Sequence, residues 1–246
     1  MPILEAINIT KDYDSRVLHG LNVAIEPGSF VAIMGPSGSG KTTFLHILSG
    51  LDRPTDGTVK MAGEDLTGMK EKDLAALRLR RLGFVFQNPH LLRTLCLLDN
   101  IALPGFLAGD EPREEVVARA RELMESMGIS GLESSDVAEV SGGQLQRASI
   151  CRALINAPEI VIGDEPTGAL NSASAAQVLD IMGEIRARGT TVVLVTHDPT
   201  VAVRADRVLL LADGKITDDV ALGRYSPDAA AERTARVTSL LASRGV

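Results

Sequence analysis

Gly35-Pro36-Ser37-Gly38-Ser39-Gly40-Lys41-Thr42 is the stretch whose residue types and spacing most directly specify chemistry. Its glycines let backbone N–H groups curl around an anion, Lys41 supplies a reaching positive charge, and Thr42 offers a hydroxyl to a metal ion. The stretch fits GxxxxGK[ST] and lies between the apolar run Phe30 to Met34 and a helix-like segment opening at Thr43, so it reads as strand, loop, helix. In that setting the loop from Gly35 to Thr43 cradles phosphates and the helix points its positive dipole end at them. Lys41 reaches the β- and γ-phosphates and Thr42 meets Mg²⁺.

Further groups with chemical potential follow abrupt strand ends. Asp164 and Glu165 terminate the apolar run Ile160-Val161-Ile162. If that strand lies beside the phosphate-loop strand, Asp164 holds Mg²⁺ directly or through water, and Glu165 orients and deprotonates an attacking water. An acidic strand-end turn is the alternative for such a pair taken alone. His197 ends the next apolar strand, where it would hydrogen-bond a γ-phosphate. Gln87 ends Gly83-Phe84-Val85-Phe86, at the carboxyl end where ligands bind in α/β sheets.

Ser141-Gly142-Gly143-Gln144 opens a helical stretch and makes a second anion-binding helix start in the same chain. As a helix cap it needs no ligand; as a site it would complete the phosphate loop of a second copy. Tyr13, in the polar turn Lys11-Asp12-Tyr13-Asp14, suits either stacking on adenine or covering the local surface.

The elements that must position these residues alternate in type. Short strands at 4–9, 18–25 and 29–34 form an antiparallel flap running into a buried strand, with another strand at 58–61. The spacing predicts helices over 71–81, 99–107, 112–128 and 172–188, and buried strands over 159–162, 191–195 and 208–211. Residues 215–217 close the sheet. A helix follows Ser226-Pro227-Asp228 and docks on the body over 226–246. Residues 88–155 read as an inserted helical lobe, and 1–87 with 156–246 as the core around it.

The 246 residues, 45% of them apolar, suffice for one such unit. A net charge of −7 argues against nucleic acid as a partner. No apolar run reaches the roughly 20 residues of a membrane span. The start, Met1-Pro2-Ile3-Leu4-Glu5, lacks a signal-peptide pattern, which implies a cytoplasmic location. Cys96 and Cys151 read as free thiols.

The set as a whole resembles the ATPase subunit of an ABC transporter: Gly35 to Thr42, Gln87, Val140-Ser141-Gly142-Gly143-Gln144, Asp164-Glu165 and His197, in that order over nearly the whole chain. The resemblance implies an α/β P-loop NTPase core, a parallel sheet plus an antiparallel β subdomain, with an inserted helical subdomain. It implies ATP and Mg²⁺ as ligands and a head-to-tail dimer in which Ser141 and Gly143 of one copy close the site of the other. Tyr13 then becomes the adenine-stacking aromatic, Gln87 the sensor linking Mg²⁺ and water to a membrane partner, and Glu165 the catalytic base.

Leu51 to Thr55, Arg81 to Gln87 and Asp164 to Asn171 are similar to ATPases paired with FtsX-like permeases, of the macrolide-exporter, lipoprotein-releasing, antimicrobial-peptide or haem-exporter kinds. That implies a four-helix permease in a two-plus-two assembly at the cytoplasmic face of the membrane. Val140, Leu145 and Asn171 depart from the common pattern; Asn171 removes a charge where two copies should meet. A regulatory ATPase of the cell-division type and a soluble iron–sulfur assembly ATPase are the alternatives within the family.

Overall fold

The computed structural model describes residues 1–244. Strands β1 (Leu4–Asp12), β2 (Arg16–Ile25) and β3 (Phe30–Met34) precede helix α1 (Lys41–Leu48), and β4 (Asp56–Met61) and the short β5 (Glu64–Asp65) follow it. Helix α2 (Glu71–Arg81) leads into β6 (Leu82–Phe86), then α3 (Leu97–Ala108), α4 (Arg113–Ser126) and α5 (Gly142–Leu154). The remainder is β7 (Ile160–Asp164), α6 (Ser172–Ala187), β8 (Thr191–Thr196), the short α7 (Pro199–Ala202), the hairpin β9 (Arg207–Ala212) and β10 (Lys215–Ala221), and α8 (Ala230–Ser243). Gly245 and Val246, within the span expected for the last helix, lie outside the described residues.

The chain divides into two compact units, 1–70 with 185–246, and 71–184. In the first, β2, β1, β4 and β5 form an antiparallel sheet in that order. β1 continues to Asp12, beyond the expected end at Ile9, because a register shift between Ala6 and Ile9 absorbs Asn8 in a left-handed conformation (φ 52°) and pairing then resumes. The extension carries Lys11 and Asp12 to the hairpin tip, with Tyr13 just beyond.

Strand β3 is parallel to β8 on one edge and to β9 on the other, and β10 pairs antiparallel with β9. All of β3 and β8 is buried, the pattern of parallel strands covered on both faces. Asp206 secures this layer from below: it accepts from the Phe30 amide at 2.9 Å and from the Arg186 guanidinium at 2.7 Å. Helix α8 buries Val237 and Leu241, while its Arg233 donates to the carbonyls of Val203, Ala205, Leu222 and Gly223.

In the second unit β6 and β7 pair in parallel. Helix α5 packs closely on β6, since a Cβ at Gly83 would come within 2.4 Å of the Ala153 carbonyl oxygen. Helices α3, α4 and α5 share a core that includes Leu97, Ile101, Val116, Met124, Cys151 and Ile155. Buried Asn100 ties the segment before α3 to that helix, accepting from the Leu92 amide and donating to the carbonyls of Leu92, Leu95 and Cys96.

Both edges of β3 are hydrogen-bonded, to β8 and to β9, and β7 pairs with β6, so the direct pairing of the Asp164 strand with the phosphate-loop strand, posed above as a condition, is not made. A strand has only two edges.

Candidate functional site

In the first unit the phosphate loop leaves β3 after Met34, whose register partners are Thr196 on β8 and Leu210 on β9. Gly35 has φ 152°, and a Cβ there would lie 1.9 Å from the Leu211 carbonyl oxygen, so no other residue fits this turn. Gly40 is the N-cap of α1 in the left-handed region (φ 97°), with no side-chain cap bond and no acidic residue in the first turn. The N-terminal amides of α1 therefore keep their positive field for an anion instead of a protein carboxylate.

Lys41 is buried, and its Nζ donates to the Gly35 and Pro36 carbonyls at 2.9 and 2.8 Å, which holds the ammonium inside the loop. Ser39 is buried with its hydroxyl unpartnered, an orphan polar group in the wall of the same loop. Pro36, Ser37, Gly38 and Thr42 are exposed, and Thr43 is half-buried. Cradle, cation and hydroxyls together fit a bound polyphosphate.

His197 follows Thr196 directly, and Thr196 pairs with Met34, so histidine and loop leave adjacent parallel strands at the same end. Asp198 fixes the turn beyond, its amide donating to Thr196 Oγ1 at 2.9 Å and its carboxylate capping α7 through the Thr200 amide at 2.8 Å. Tyr13 projects from the hairpin tip, 60% exposed. Its hydroxyl donates to Asp52 Oδ2 at 2.7 Å. Hydrogen bonding to Asp52, then burial, pushes the phenol above its ordinary range.

In the second unit Phe86 and Asp164 are register partners at the ends of β6 and β7, which sets Gln87 and Glu165 side by side. Glu165 sits in the left-handed region (φ 48°), an unfavourable backbone state for a glutamate that re-aims its side chain at the strand end. Gln87 reaches Gly168, in the turn after Glu165: a Cβ at Gly168 would lie 2.9 Å from Gln87 Nε2.

Ser141 is the N-cap of α5 in a capping box. Gln144 Oε1 accepts from the Ser141 amide at 2.8 Å, and Ser141 Oγ accepts from the Gln144 amide at 3.4 Å. Ser141 and Gly142 are exposed, and Gly143 packs against Ser174 at the start of α6.

Thus the first unit gathers Tyr13, the loop and His197, and the second gathers Gln87, Asp164 and Glu165 and presents Ser141 to Gln144 on a helix start. Sequence reasoning missed four supporting residues. Lys11 and Asp52 hold Tyr13; Asp52 lay in a stretch read as a turn and as part of the family resemblance, with nothing to link it to Tyr13. Gln146 donates to the Phe86 carbonyl at 3.0 Å, and Arg152 donates to the Pro89 and His90 carbonyls at 2.6 and 2.8 Å. Gln146 was traceable as a polar residue inside a buried helical stripe, whereas Arg152 carried no sequence signal.

The ABC transporter family profile matches residues 18–168. The pyoverdine export ATP-binding/permease protein PvdT of Pseudomonas entomophila is 42% identical over 92% of this chain and 35% of its own length. The macrolide export ATP-binding/permease protein MacB of Rhodopseudomonas palustris is 44% identical over 92% of this chain and 34% of its own length. The chain thus spans about a third of the length of these curated relatives. Among solved structures, the dimeric post-hydrolysis state of the ATP-binding cassette MJ0796 with ADP and Pi superimposes with a TM-score of 0.83 at 35% identity, covering 90% of this chain and 100% of that one.

Proposed function

The chain belongs to the ABC transporter family, and from that premise we propose that it binds and hydrolyses ATP as the motor subunit of a membrane export or extraction pump. The observation that carries the reading is the loop from Gly35 to Thr43: a glycine-enforced turn, an α1 start free of side-chain capping, and an inward ammonium in one short segment.

In this reading Lys41 and the loop amides hold the β- and γ-phosphates, and Tyr13 stacks on adenine. Glu165 accepts a proton from water as the water oxygen bonds to the γ-phosphorus and the bond to the β-bridging oxygen breaks. ADP and phosphate leave. His197 donates to the γ-phosphate, and Ser141, Gly142, Gly143 and Gln144 close the site of a second copy. Mg²⁺, held by Thr42, Asp164 and Gln87 together with the phosphates, would neutralise charge developing on the phosphate oxygens. The described residues contain no cluster of three or more His, Cys, Asp or Glu side chains suited to a metal, and Mg²⁺ bound largely through substrate phosphates needs none.

Residues 88–155 would form the inserted helical subdomain and 1–87 with 156–246 the nucleotide-binding core. No described helix is long and apolar enough to cross a membrane, and the relatives' names join an ATP-binding part to a permease. The relatives' names support an integral-membrane permease component, which we take to be FtsX-like, with four-helix subunits and two copies of each component, the ATPase at the cytoplasmic face. Export of a small molecule is supported by the macrolide and pyoverdine names.

The test is to purify the tagged chain from its own membranes in mild detergent and identify what accompanies it. A four-helix permease, with ATP turnover by the complex, is the expected result. Soluble assembly factors alone would overturn the pump reading.

A further inference from the structure

We infer that Lys11 and Asp52 form a preset clamp that holds the Tyr13 ring as a platform for the nucleotide base, making both residues determinants of how much affinity the base contributes. The inference rests on the adenine-stacking reading of Tyr13.

An exposed tyrosine in a hairpin tip would ordinarily sample several rotamers, and stacking would have to freeze one of them. Here the ring is already restrained from two directions. Its hydroxyl donates to Asp52 Oδ2 at 2.7 Å, and the Lys11 ammonium lies 4.8 Å from the ring centroid. The restraints are linked, because Lys11 Nζ also donates to Asp52 Oδ1 at 2.7 Å and to the Arg53 carbonyl at 2.7 Å.

Asp52 is itself anchored by the Arg53 amide, which donates to Oδ1 at 2.7 Å. Partial burial raises its pKa, but the hydrogen bonds from Lys11, Tyr13 and the Arg53 amide outweigh that and hold the carboxylate below its ordinary range. The carboxylate stays ionised as an acceptor for both partners.

Two consequences bear on a base. Through Asp52, whose amide donates to the His46 carbonyl of α1 at 3.1 Å, the phenol is tied to the helix that opens at Lys41, so the distance from stacking platform to phosphate loop is set by hydrogen bonds as well as by the chain itself. The Lys11 cation also occupies one face of the ring and draws electron density from it. With Tyr13 60% exposed, the remaining surface is left for a π-rich partner. A purine is such a partner, and no hydrogen bond to its edge is required. The clamp therefore predicts affinity for bases without sharp discrimination among them.

The test compares the affinity of the full chain for MgATP with that for magnesium tripolyphosphate, which keeps the phosphates and lacks the base. Asp52→Asn and Lys11→Met should each reduce the ATP-to-tripolyphosphate affinity ratio by roughly two- to tenfold, the factor for ordering one side chain on binding, with tripolyphosphate affinity unchanged. Tyr13→Phe, which keeps the ring and removes its anchor, should fall in the same range. Tyr13→Ala should lose most of the ratio, and adding Asp52→Asn to it should cost nothing more.

If Tyr13→Ala lowers the ratio while Asp52→Asn and Tyr13→Phe do not, the clamp is wrong and the stacking reading stands. If Tyr13→Ala leaves the ratio intact, both fail. Equal losses for ATP and tripolyphosphate in Asp52→Asn would make the network a general prop of the loop and overturn the clamp.

Discussion

Phe86 and Asp164 face each other in register at the ends of two parallel strands, and the residues that follow them, Gln87 and Glu165, therefore leave the sheet together. Glu165 leaves it in a left-handed conformation that an unconstrained glutamate avoids. A glutamate held in that way, beside an amide able to position water, suits the removal of a proton.

Glu165→Gln keeps size and hydrogen bonding while removing the carboxylate proposed as the base. Turnover should fall at least about 100-fold, with ATP affinity retained and an ATP-bound dimer accumulating. Steady-state phosphate release and size-exclusion chromatography with ATP check this. Near-normal turnover would remove Glu165 from the role.

Gly168→Ala tests the contact between the turn after Glu165 and Gln87. The added methyl would lie 2.9 Å from Gln87 Nε2, the free end of a flexible side chain, so the amide moves and the backbone does not. Stability should stay within about 0.5 kcal/mol of the parent, while turnover falls about tenfold or more. Parallel thermal melts and rate measurements separate the two effects.

Arg233 is buried among carbonyl oxygens, with Nε donating to Val203 at 2.8 Å and Nη1 to Leu222 at 2.9 Å. Burial lowers its pKa, yet arginine stays charged. Arg233→Leu orphans these acceptors and should destabilise the fold by about 3 kcal/mol. Arg233→Lys should not rescue it, because an ammonium lacks the planar fork. Hydrogen exchange in α8 and the melting temperature read the result.

Cys151 is buried, and burial pushes its thiol up to about 12 from 9.0. The folded chain thus holds the proton that the unfolded chain releases near pH 9, so this contribution is complete below pH 9 and is lost as pH rises toward 12. Urea midpoints between pH 8 and about 10.5 should fall more steeply for the parent than for Cys151→Ala. A thiol reagent at pH 8 should label Cys151 only after unfolding.

The phosphate loop was fully legible in the sequence because its chemistry is contiguous: glycines, lysine and threonine act within eight positions of one another. Gln87, Asp164 and His197 were legible because apolar strands stop abruptly at them. Neighbour relations among strands were not, since hydrogen-bonding partners depend on sheet order, and whether the Asp164 strand pairs with β3 could be posed from the sequence only as a condition. Asp52 reaches Tyr13 across 39 positions and Gln146 reaches Phe86 across 60, and nothing local marks either partnership. Asn8 hid a bulge because asparagine tolerates the left-handed region as readily as it ends a strand.

Helix α5 grips the Gln87 segment on both flanks: Gln146 takes the Phe86 carbonyl in front of it, and Arg152 takes the Pro89 and His90 carbonyls behind. The same helix starts at Ser141. A pull on its first turn is thus delivered to the peptide groups around Gln87 through three hydrogen bonds on a stiff rod, without passing through a loop that could absorb it. A displacement of the helix would therefore load the backbone on both sides of Gln87 at once.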